Sequence, residues 1–367
     1  MIRIVHIADV HLDTPMTALP PALAAARRES LREEFRRVLT RAGEAGVEAV
    51  LLCGDLFDSN RVTPGSARIL PETARKFPKT HYFVAPGNHD CLTASSPYRT
   101  MDRPENLVIF DQGRIERVDL PGASVYGYGC LQENSDRSPL AGFHVEDPER
   151  VNLFCLHAQV QGFGGHAAYS PITLSEIAAS GVDYLALGHV HACSGVLKAG
   201  GTHYAYPGVL CGRGFDETGR KGYLAGQVDR GAVRLGFLET GAPTFEWVRA
   251  ELNGAQSMRE VCELAERAVE GLPDETLLKL TLAGTRRADL LMHRPALQAA
   301  LGRFAFCRIE DETRPAREYE KLMLENTLRG IYLRRLSAMD APEEIREKAV
   351  SLGLAALSGE ELADCED

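Results

Sequence analysis

Five apolar runs of strand length, each followed by Asp, Asn or His side chains, constrain the fold of this chain most. The motifs after them are Asp9-Val10-His11, Gly54-Asp55-Leu56-Phe57-Asp58, Gly87-Asn88-His89-Asp90, Leu156-His157-Ala158 and Gly188-His189-Val190-His191. A sixth motif, Tyr206-Pro207-Gly208, comes later in the chain. Because loops at the carboxyl ends of neighbouring strands in an α/β sheet converge on one crevice, the pattern predicts one polar site at a sheet edge.

The apolar runs alternate with helical patterns, at 21–45 and more weakly at 66–77, where Pro71 interrupts the pattern. This order predicts an α/β fold with a parallel sheet and helices outside it. Short runs at 107–110, 114–118 and 123–128 are predicted to pair with hairpin strands at 202–206, 223–228 and 233–238 as a second sheet. The predicted architecture is a four-layer α/β/β/α sandwich over residues 1–240.

A change of composition at Gly241-Ala242-Pro243 predicts a linker after this first domain. Alternating helical and strand patterns beyond it predict a small C-terminal α/β cap domain over residues 244–315. A helical tail is predicted over 316–367, with helices at 317–336 and 342–357.

Composition excludes several classes of protein. The net charge of −10 argues against a generally basic nucleic-acid coat, although metal ions can supply a local positive field. Nine cysteines at irregular spacing, without a Cys-x-x-Cys pair, favour reduced thiols over a disulfide framework. The N-terminal segment lacks the apolar stretch of a signal peptide, and a membrane helix is not expected. We therefore expect a cytoplasmic protein.

Oxygen and imidazole side chains dominate the strand-end motifs, and five of the eleven histidines lie in them. Taken singly, each motif is more typical of a structural role or is evenly balanced. Together, and each at a strand end, they predict a site for two divalent metal ions. The residues that these motifs bring to the site are Asp9, His11, Asp55, Asn88, His89, His157, His189 and His191.

These motifs resemble those of the calcineurin-like metallophosphoesterase superfamily. Gly-Asp-Leu-Phe-Asp, the later Tyr-Pro-Gly and the C-terminal cap are similar to the SbcD/YhaO-type bacterial branch of DNA repair exonucleases. The resemblance implies one ion held by Asp9, His11 and His191, and another by Asn88, His157 and His189, with Asp55 bridging both. Such a mixed ligand set suits Mn²⁺ and can accept Fe or Zn.

The resemblance also implies catalytic residues. His89 would protonate the leaving oxygen or stabilise the transition state, and Asp90 would orient its imidazole; the alternative for Asp90 is a carboxylate that caps a turn. Some relatives carry a second active-site histidine where this chain has Asp58, so that role does not carry over. Asp58 is instead expected to support the ligands from behind.

A DNA enzyme needs phosphate contacts beyond its metal ions. Candidates are Arg61, Arg99 and Arg103 in loops near the strand ends, and Arg213, Arg220 and Lys221 in the Gly-rich segment 212–221. The alternative for that segment is a solvated hairpin tip. In the resembling family, C-terminal helices engage a coiled-coil ATPase, whereas packing against the cap is the simpler explanation of the apolar residues between 319 and 336.

We expect a Mn²⁺-dependent DNA exonuclease/endonuclease that works in DNA repair by a two-metal mechanism, with an SMC-like ATPase as partner. The resemblance also implies a homodimer. One alternative is a phosphodiesterase or phosphatase of small nucleotides. Another is a protein-binding scaffold with little turnover, which the retained ligand set disfavours.

Overall fold

The computed structural model describes residues 1–163, 169–287, 290–315, 319–339 and 341–357. Contacts divide the chain into two compact units, Met1–Trp247 with Glu275–Leu278, and Val248–Asp274 with Lys279–Asp367. This division falls shortly after Gly241-Ala242-Pro243. Separate status for a tail domain from residue 316 stays a prediction. Within the described ranges, no helix is long and apolar enough to cross a membrane.

The first unit contains two six-stranded sheets. Its elements in chain order are β1 (Ile2–Ile7), α1 (Pro21–Glu44), β2 (Ala49–Cys53), α2 (Pro64–Lys76), β3 (His81–Ala85), β4 (Leu107–Ile109), β5 (Glu116–Leu120), β6 (Ala123–Tyr128), β7 (Val151–His157), α3 (Leu174–Ala179), β8 (Tyr184–Gly188), β9 (Leu197–Ala199), β10 (Thr202–Ala205), β11 (Gly222–Asp229) and β12 (Ala232–Glu239). The sheet orders are β12-β11-β1-β2-β3-β4 and β5-β6-β7-β8-β10-β9.

The two sheets pack face to face on one apolar core. Buried side chains from both sheets, including Leu51, Phe83, Val125 and Leu153, form this core. The outer face of the second sheet packs on α3 through Ile177, while α1 and α2 contact each other. Strands buried on both faces explain the continuous apolar runs of the sequence. The α/β sandwich of two sheets is confirmed.

The pairing predicted for the second sheet was partly wrong. Strand β4 and the hairpin β11–β12 belong to the first sheet, where β11 runs antiparallel to β1 with Ile2 opposite Val228. The hairpin covers the edge of β1 that would otherwise expose unpaired backbone groups. Helix α2 runs through Pro71, and the Thr63 hydroxyl caps it by accepting from the Ser66 N–H at 3.4 Å.

The remaining elements begin just before the second unit and continue through it. They are β13 (Phe245–Glu251), α4 (Met258–Ala268), β14 (Leu277–Ala283), β15 (Thr285–Arg286), α5 (Arg294–Ala300), β16 (Phe306–Asp311), β17 (Arg314–Pro315), α6 (Tyr319–Leu324), α7 (Leu328–Ser337) and α8 (Glu343–Leu357). The sheets are β13-β14-β16 and β15-β17. The sequence reading missed β13.

The predicted helix at 317–336 is two helices, α6 and α7. Helix α6 ends at Leu324, and Thr327 caps α7, because its hydroxyl accepts from the Gly330 N–H at 3.3 Å. Such a cap satisfies an N–H that a helix terminus leaves free. Residues 316–318 of that prediction, and 358–367 of the predicted tail, lie outside the described residues.

Candidate metal centre

All seven predicted ligands lie at or just after the carboxyl ends of β1, β2, β3, β7 and β8, strands that come from both sheets. Among the described residues there are three groups within each of which the possible ligand atoms lie within 4.8 Å of one another: Asp9, His11 and His191; Asp9, Asp55 and His157; and His11, Asp58 and His89. The Asp55 Oδ2 atom lies 3.8 Å from His11 Nε2 and 3.5 Å from His157 Nε2. Asp55 therefore stands between the two predicted ligand sets.

The backbone at these strand ends is left-handed at four ligand residues. The φ angles are 50° at Asp9, 50° at His11, 48° at Asp55 and 101° at His189. Non-glycine residues adopt this region rarely and at a cost. Neighbouring loops hold it in place, since the Asp9 N–H donates to Gly54 and the His11 N–H donates to Asp55, both at main-chain oxygens.

Glycine is required where two of these loops approach other parts of the site. Gly54 has a φ of 82°, and a Cβ there would lie 2.1 Å from the His157 ring. Gly208, with a φ of 78°, would bring a Cβ within 2.8 Å of the His191 carbonyl oxygen. The Tyr206 hydroxyl meanwhile donates to the Ala158 carbonyl at 3.0 Å. The Tyr-Pro-Gly motif thus supports the loops after β7 and β8.

Buried nitrogen and oxygen atoms of the ligand residues fit a cation. His157 Nδ1 donates to the Cys53 carbonyl at 3.0 Å, so Nε2 is the ring nitrogen that can present a lone pair to the site. That atom lies 2.9 Å from Asn88 Oδ1, which is also an acceptor. Neither ring nitrogen of the fully buried His11 has a well-formed hydrogen bond, and the acid nearest to Nδ1, Asp58 Oδ1, lies 3.4 Å away. Buried polar atoms are rarely left in this state, and a cation bound at Nε2 would satisfy that nitrogen.

The charges of the two central carboxylates, Asp9 and Asp55, also favour a bound cation. Burial, and then the negative charge of Asp55, raise the pKa of the Asp9 carboxyl well above its ordinary value. Burial also raises the pKa of Asp55, but the imidazoles of His157 and His11 outweigh it and leave that pKa lowered. Two buried carboxylates this close need positive charge nearby to stay ionised.

His89 lies beside this group with a fixed ring. Its main-chain N–H donates to Asp55 Oδ1 at 2.9 Å, and its Nδ1 donates to the Asp58 carbonyl at 3.0 Å. The side chain is exposed, and its ring centroid lies 4.8 Å from that of His11. Because Nδ1 is occupied, Nε2 is the nitrogen left for a substrate.

The orienting role predicted for Asp90 was wrong. Its Oδ1 accepts from the Gly87 N–H at 2.7 Å, and its Oδ2 accepts from the Phe57 N–H at 3.1 Å and the Tyr98 hydroxyl at 2.6 Å. These bonds join the loops after β2 and β3, as in the turn-capping alternative. The Asp58 carbonyl orients the His89 ring instead. Burial is the main cause that raises the pKa of Asp90 to about 6.

Most of the predicted phosphate contacts are occupied within the protein. Arg99 donates to the carbonyls of Thr93 and Leu92, and so fixes its own loop. The other engaged side chains, with their acceptors, are Arg103 with Asp111 and Tyr98, Arg213 with Glu217, and Arg220 with Glu239. Lys221 is half-buried, and burial lowers its pKa.

Arg61 differs from the other predicted contacts. Its side chain is exposed and has no hydrogen bond or ion pair among the residues that the structure describes. It remains available to a phosphate.

The sequence reading missed Glu217. Its Oε1 lies 2.8 Å from His191 Nδ1 and 2.5 Å from an Arg213 guanidinium nitrogen. Burial alone would raise the pKa of Glu217, but the hydrogen bonds from His191 and Arg213 leave it lowered. The only sequence signal was an Arg-x-x-x-Glu spacing in a Gly-rich segment.

Known proteins resemble this chain in the same region. A family model for calcineurin-like phosphoesterases matches residues 2–193. The metallophosphoesterase YhaO of Bacillus subtilis (strain 168), itself uncharacterized, is 30% identical over 308 residues, which cover 78% of this chain and 73% of YhaO. The DNA double-strand break repair protein Mre11 of Methanopyrus kandleri is 25% identical over 384 aligned residues, covering 94% of this chain and 80% of that protein.

The chain therefore belongs to the calcineurin-like metallophosphoesterase family, whose hydrolases use divalent metal ions. Its similarity to YhaO and to Mre11 supports the DNA repair branch that the motifs indicate.

Proposed function

We propose that the chain is a metal-dependent DNA nuclease that hydrolyses phosphodiester bonds at the site around Asp55. The observation that carries the proposal is the position of the buried Asp55 carboxylate, whose Oδ2 lies 3.8 Å from His11 Nε2 and 3.5 Å from His157 Nε2, one member of each proposed ligand set. Asp9, His11 and His191 would hold one ion, Asn88, His157 and His189 the other, and Asp55 would bridge them. Two such ions activate water and stabilise both oxygens of an in-line displacement at phosphorus.

The chain's own residues divide the remaining work. His89 presents Nε2 to the crevice; with both ring nitrogens protonated and Nδ1–H held by the Asp58 carbonyl, its Nε2–H would supply the proton to the leaving oxygen. Asp90 keeps the loop that carries Asn88 and His89 in place through the Gly87 N–H. Mn²⁺ is the proposed native metal, because the site mixes carboxylate, amide and imidazole ligands.

DNA is the proposed substrate because the similarity to an Mre11 protein extends over 94% of the chain, beyond the phosphoesterase domain. Arg61 is the proposed contact to a phosphate next to the scissile one, since its guanidinium has no partner among the described residues. A small-nucleotide phosphodiesterase would share the metal centre but would not need this contact. Arg61→Gln should therefore raise KM for DNA and leave a small chromogenic ester unaffected.

An SMC-like coiled-coil ATPase is the proposed partner, and a homodimer the proposed assembly. Apolar side chains of the tail are exposed in α7 and α8, at Leu328 (66%), Ile331 (46%) and Ile345 (61%). Packing against the cap would have buried them. Leu328→Glu together with Ile331→Glu should abolish binding to the ATPase without changing cleavage of a small ester. Unchanged binding by this variant, and by a chain shortened by residues 340–367, would contradict the partner assignment.

The function is tested with purified protein, Mn²⁺ and three substrates in parallel: linear duplex DNA, single-stranded DNA and bis(4-nitrophenyl) phosphate. We expect cleavage of DNA that requires Mn²⁺ and is lost in Asp55→Asn. Cleavage of the small ester alone, at several salt concentrations and with the ATPase added, would favour the small-nucleotide alternative. Absence of all three activities in a metal-loaded protein would favour the scaffold.

A further inference from the structure

We propose that Arg213, Asp58 and Glu217 form a positioning device for one of the two ions, the one assigned to Asp9, His11 and His191. The inference rests on the proposed metal centre and adds residues that hold its ligands. It also gives Arg213 a role other than the predicted phosphate contact.

His191 is held through its Nδ1 atom. This nitrogen lies 2.8 Å from Glu217 Oε1 and 3.2 Å from an Arg213 guanidinium nitrogen, so the Glu217–Arg213 pair engages Nδ1 and Nε2 is the nitrogen left for a metal ion. Glu217 is 5% exposed at its side chain and is fixed in turn by the Arg213 main-chain N–H at 2.9 Å. A carboxylate behind a ligating histidine sets the tautomer and raises the basicity of the ring.

His11 faces a carboxylate in the same way. Asp58 Oδ1 lies 3.4 Å from His11 Nδ1, while His11 Nε2 points toward Asp55. The two imidazoles of this ligand set therefore have the same arrangement, with Nε2 toward the centre and Nδ1 toward an acid.

One guanidinium joins the two supporting acids. Arg213 forms a fork on Glu217, with Nε at 3.1 Å from both carboxylate oxygens and a terminal nitrogen at 2.5 Å from Oε1. The other terminal nitrogen lies 3.6 Å from Asp58 Oδ1. The fork geometry of an arginine suits this double engagement, and a lysine could reach only one acid at a time.

The second ligand set is supported differently. His157 Nδ1 donates to the uncharged main-chain carbonyl of Cys53. The ligand set of Asp9, His11 and His191 thus has two further acids and one cation behind it, whereas His157 is held by a main-chain carbonyl. Loss of the Arg213 side chain should therefore weaken the binding of one ion and leave the binding of the other unchanged.

The test is calorimetric titration of Mn²⁺ into the metal-stripped full chain, together with electron paramagnetic resonance of coupled Mn²⁺ pairs. Wild type should bind two ions; binding of fewer would count against the proposed function itself. We expect a loss of about 10–100-fold in the affinity for one ion, and no change for the other, in each of Arg213→Gln, Glu217→Gln and Asp58→Asn. Arg213→Lys should be intermediate, and the coupled-pair signal should fall at limiting Mn²⁺.

Matched controls separate positioning from charge and from folding. Asp216→Asn removes a neighbouring exposed acid, and Arg230→Gln removes an exposed arginine that pairs with Glu149; both should bind two ions as wild type does. Two ions with unchanged affinities in Arg213→Gln and Glu217→Gln would overturn the inference, as would equal weakening of both ions. If Arg213→Gln loses its circular dichroism spectrum, Glu217→Gln and Asp58→Asn decide by the same criteria. If Arg213→Gln binds both ions with unchanged affinity but has a raised KM for DNA, Arg213 contacts the substrate and does not position a metal ligand.

Discussion

His89→Ala should separate metal binding from proton transfer. The main-chain N–H that donates to Asp55 Oδ1 remains in alanine, so the bridging carboxylate keeps this bond. The side chain is exposed, and its removal opens no cavity in the core. We therefore expect the variant to bind two ions with wild-type affinity.

Turnover should fall because the Nε2 proton donor is gone. A positioned general acid contributes about 10²–10⁴-fold, which corresponds to about 3–5 kcal/mol of activation free energy. The loss should depend on the leaving group. The alkoxide that leaves from DNA needs a proton, whereas nitrophenolate does not, so bis(4-nitrophenyl) phosphate should lose roughly tenfold or less.

The assay compares kcat on DNA and on the nitrophenyl diester, alongside Mn²⁺ titration. His144→Ala is a matched control, since His144 is also exposed and its Nδ1 also bonds to a main-chain carbonyl, that of Ala179 at 2.8 Å. It should behave as wild type. A His89→Ala protein that has lost metal would refute the reasoning, and so would equal losses on the two substrates.

Three further perturbations test the structure around the site. Gly54→Ala should destabilise the fold by about 2–4 kcal/mol, because its Cβ meets the His157 ring, whereas Gly122→Ala, with a φ of 79° and open space, should cost about 1 kcal/mol; equal urea midpoints would contradict the close approach. Burial lowers the pKa of His6 to about 3, so the folded state binds fewer protons below pH 6.5. The free energy of unfolding should therefore decrease as the pH is lowered below 6.5, by up to about 1.4 kcal/mol per pH unit, and the slope should be shallower in His6→Gln. Chelation with EDTA should lower Tm, because ions at 100 times Kd stabilise by about 2.7 kcal/mol; a Tm insensitive to EDTA would count against bound metal.

Much of the fold could be predicted from the sequence because the strands that carry the site are buried on both faces. Their continuous apolar runs mark the strands, and the Asp and His residues after them mark one edge. Partners in a sheet leave no such local signal, so β11 and β12 were placed in the wrong sheet. Their alternating pattern fits either sheet, and the unpaired edge of β1 decided the pairing.

The sequence predicted the types of residue at the candidate site, but it predicted few of the contacts that support them. His89 and Asp90 are adjacent in sequence, yet the carboxylate of Asp90 turns back to Gly87 and Tyr98. Arg213 was chosen for its charge, although Glu217 four residues later engages that charge. A sequence shows which side chains are present, and only the folded loop shows which of them satisfy each other.

The left-handed backbone at Asp9, His11, Asp55 and His189 has a consequence for how the protein loads its ions. Each such residue costs roughly 1–2 kcal/mol, and main-chain hydrogen bonds from Asp9 to Gly54 and from His11 to Asp55 help to hold this backbone. We therefore expect the ligand loops to keep their shape when the ions are removed, so that ions enter and leave without refolding. Repeated cycles of dialysis against chelator and Mn²⁺ should therefore restore full binding each time, and the exchange rate should not depend on denaturant below the unfolding transition.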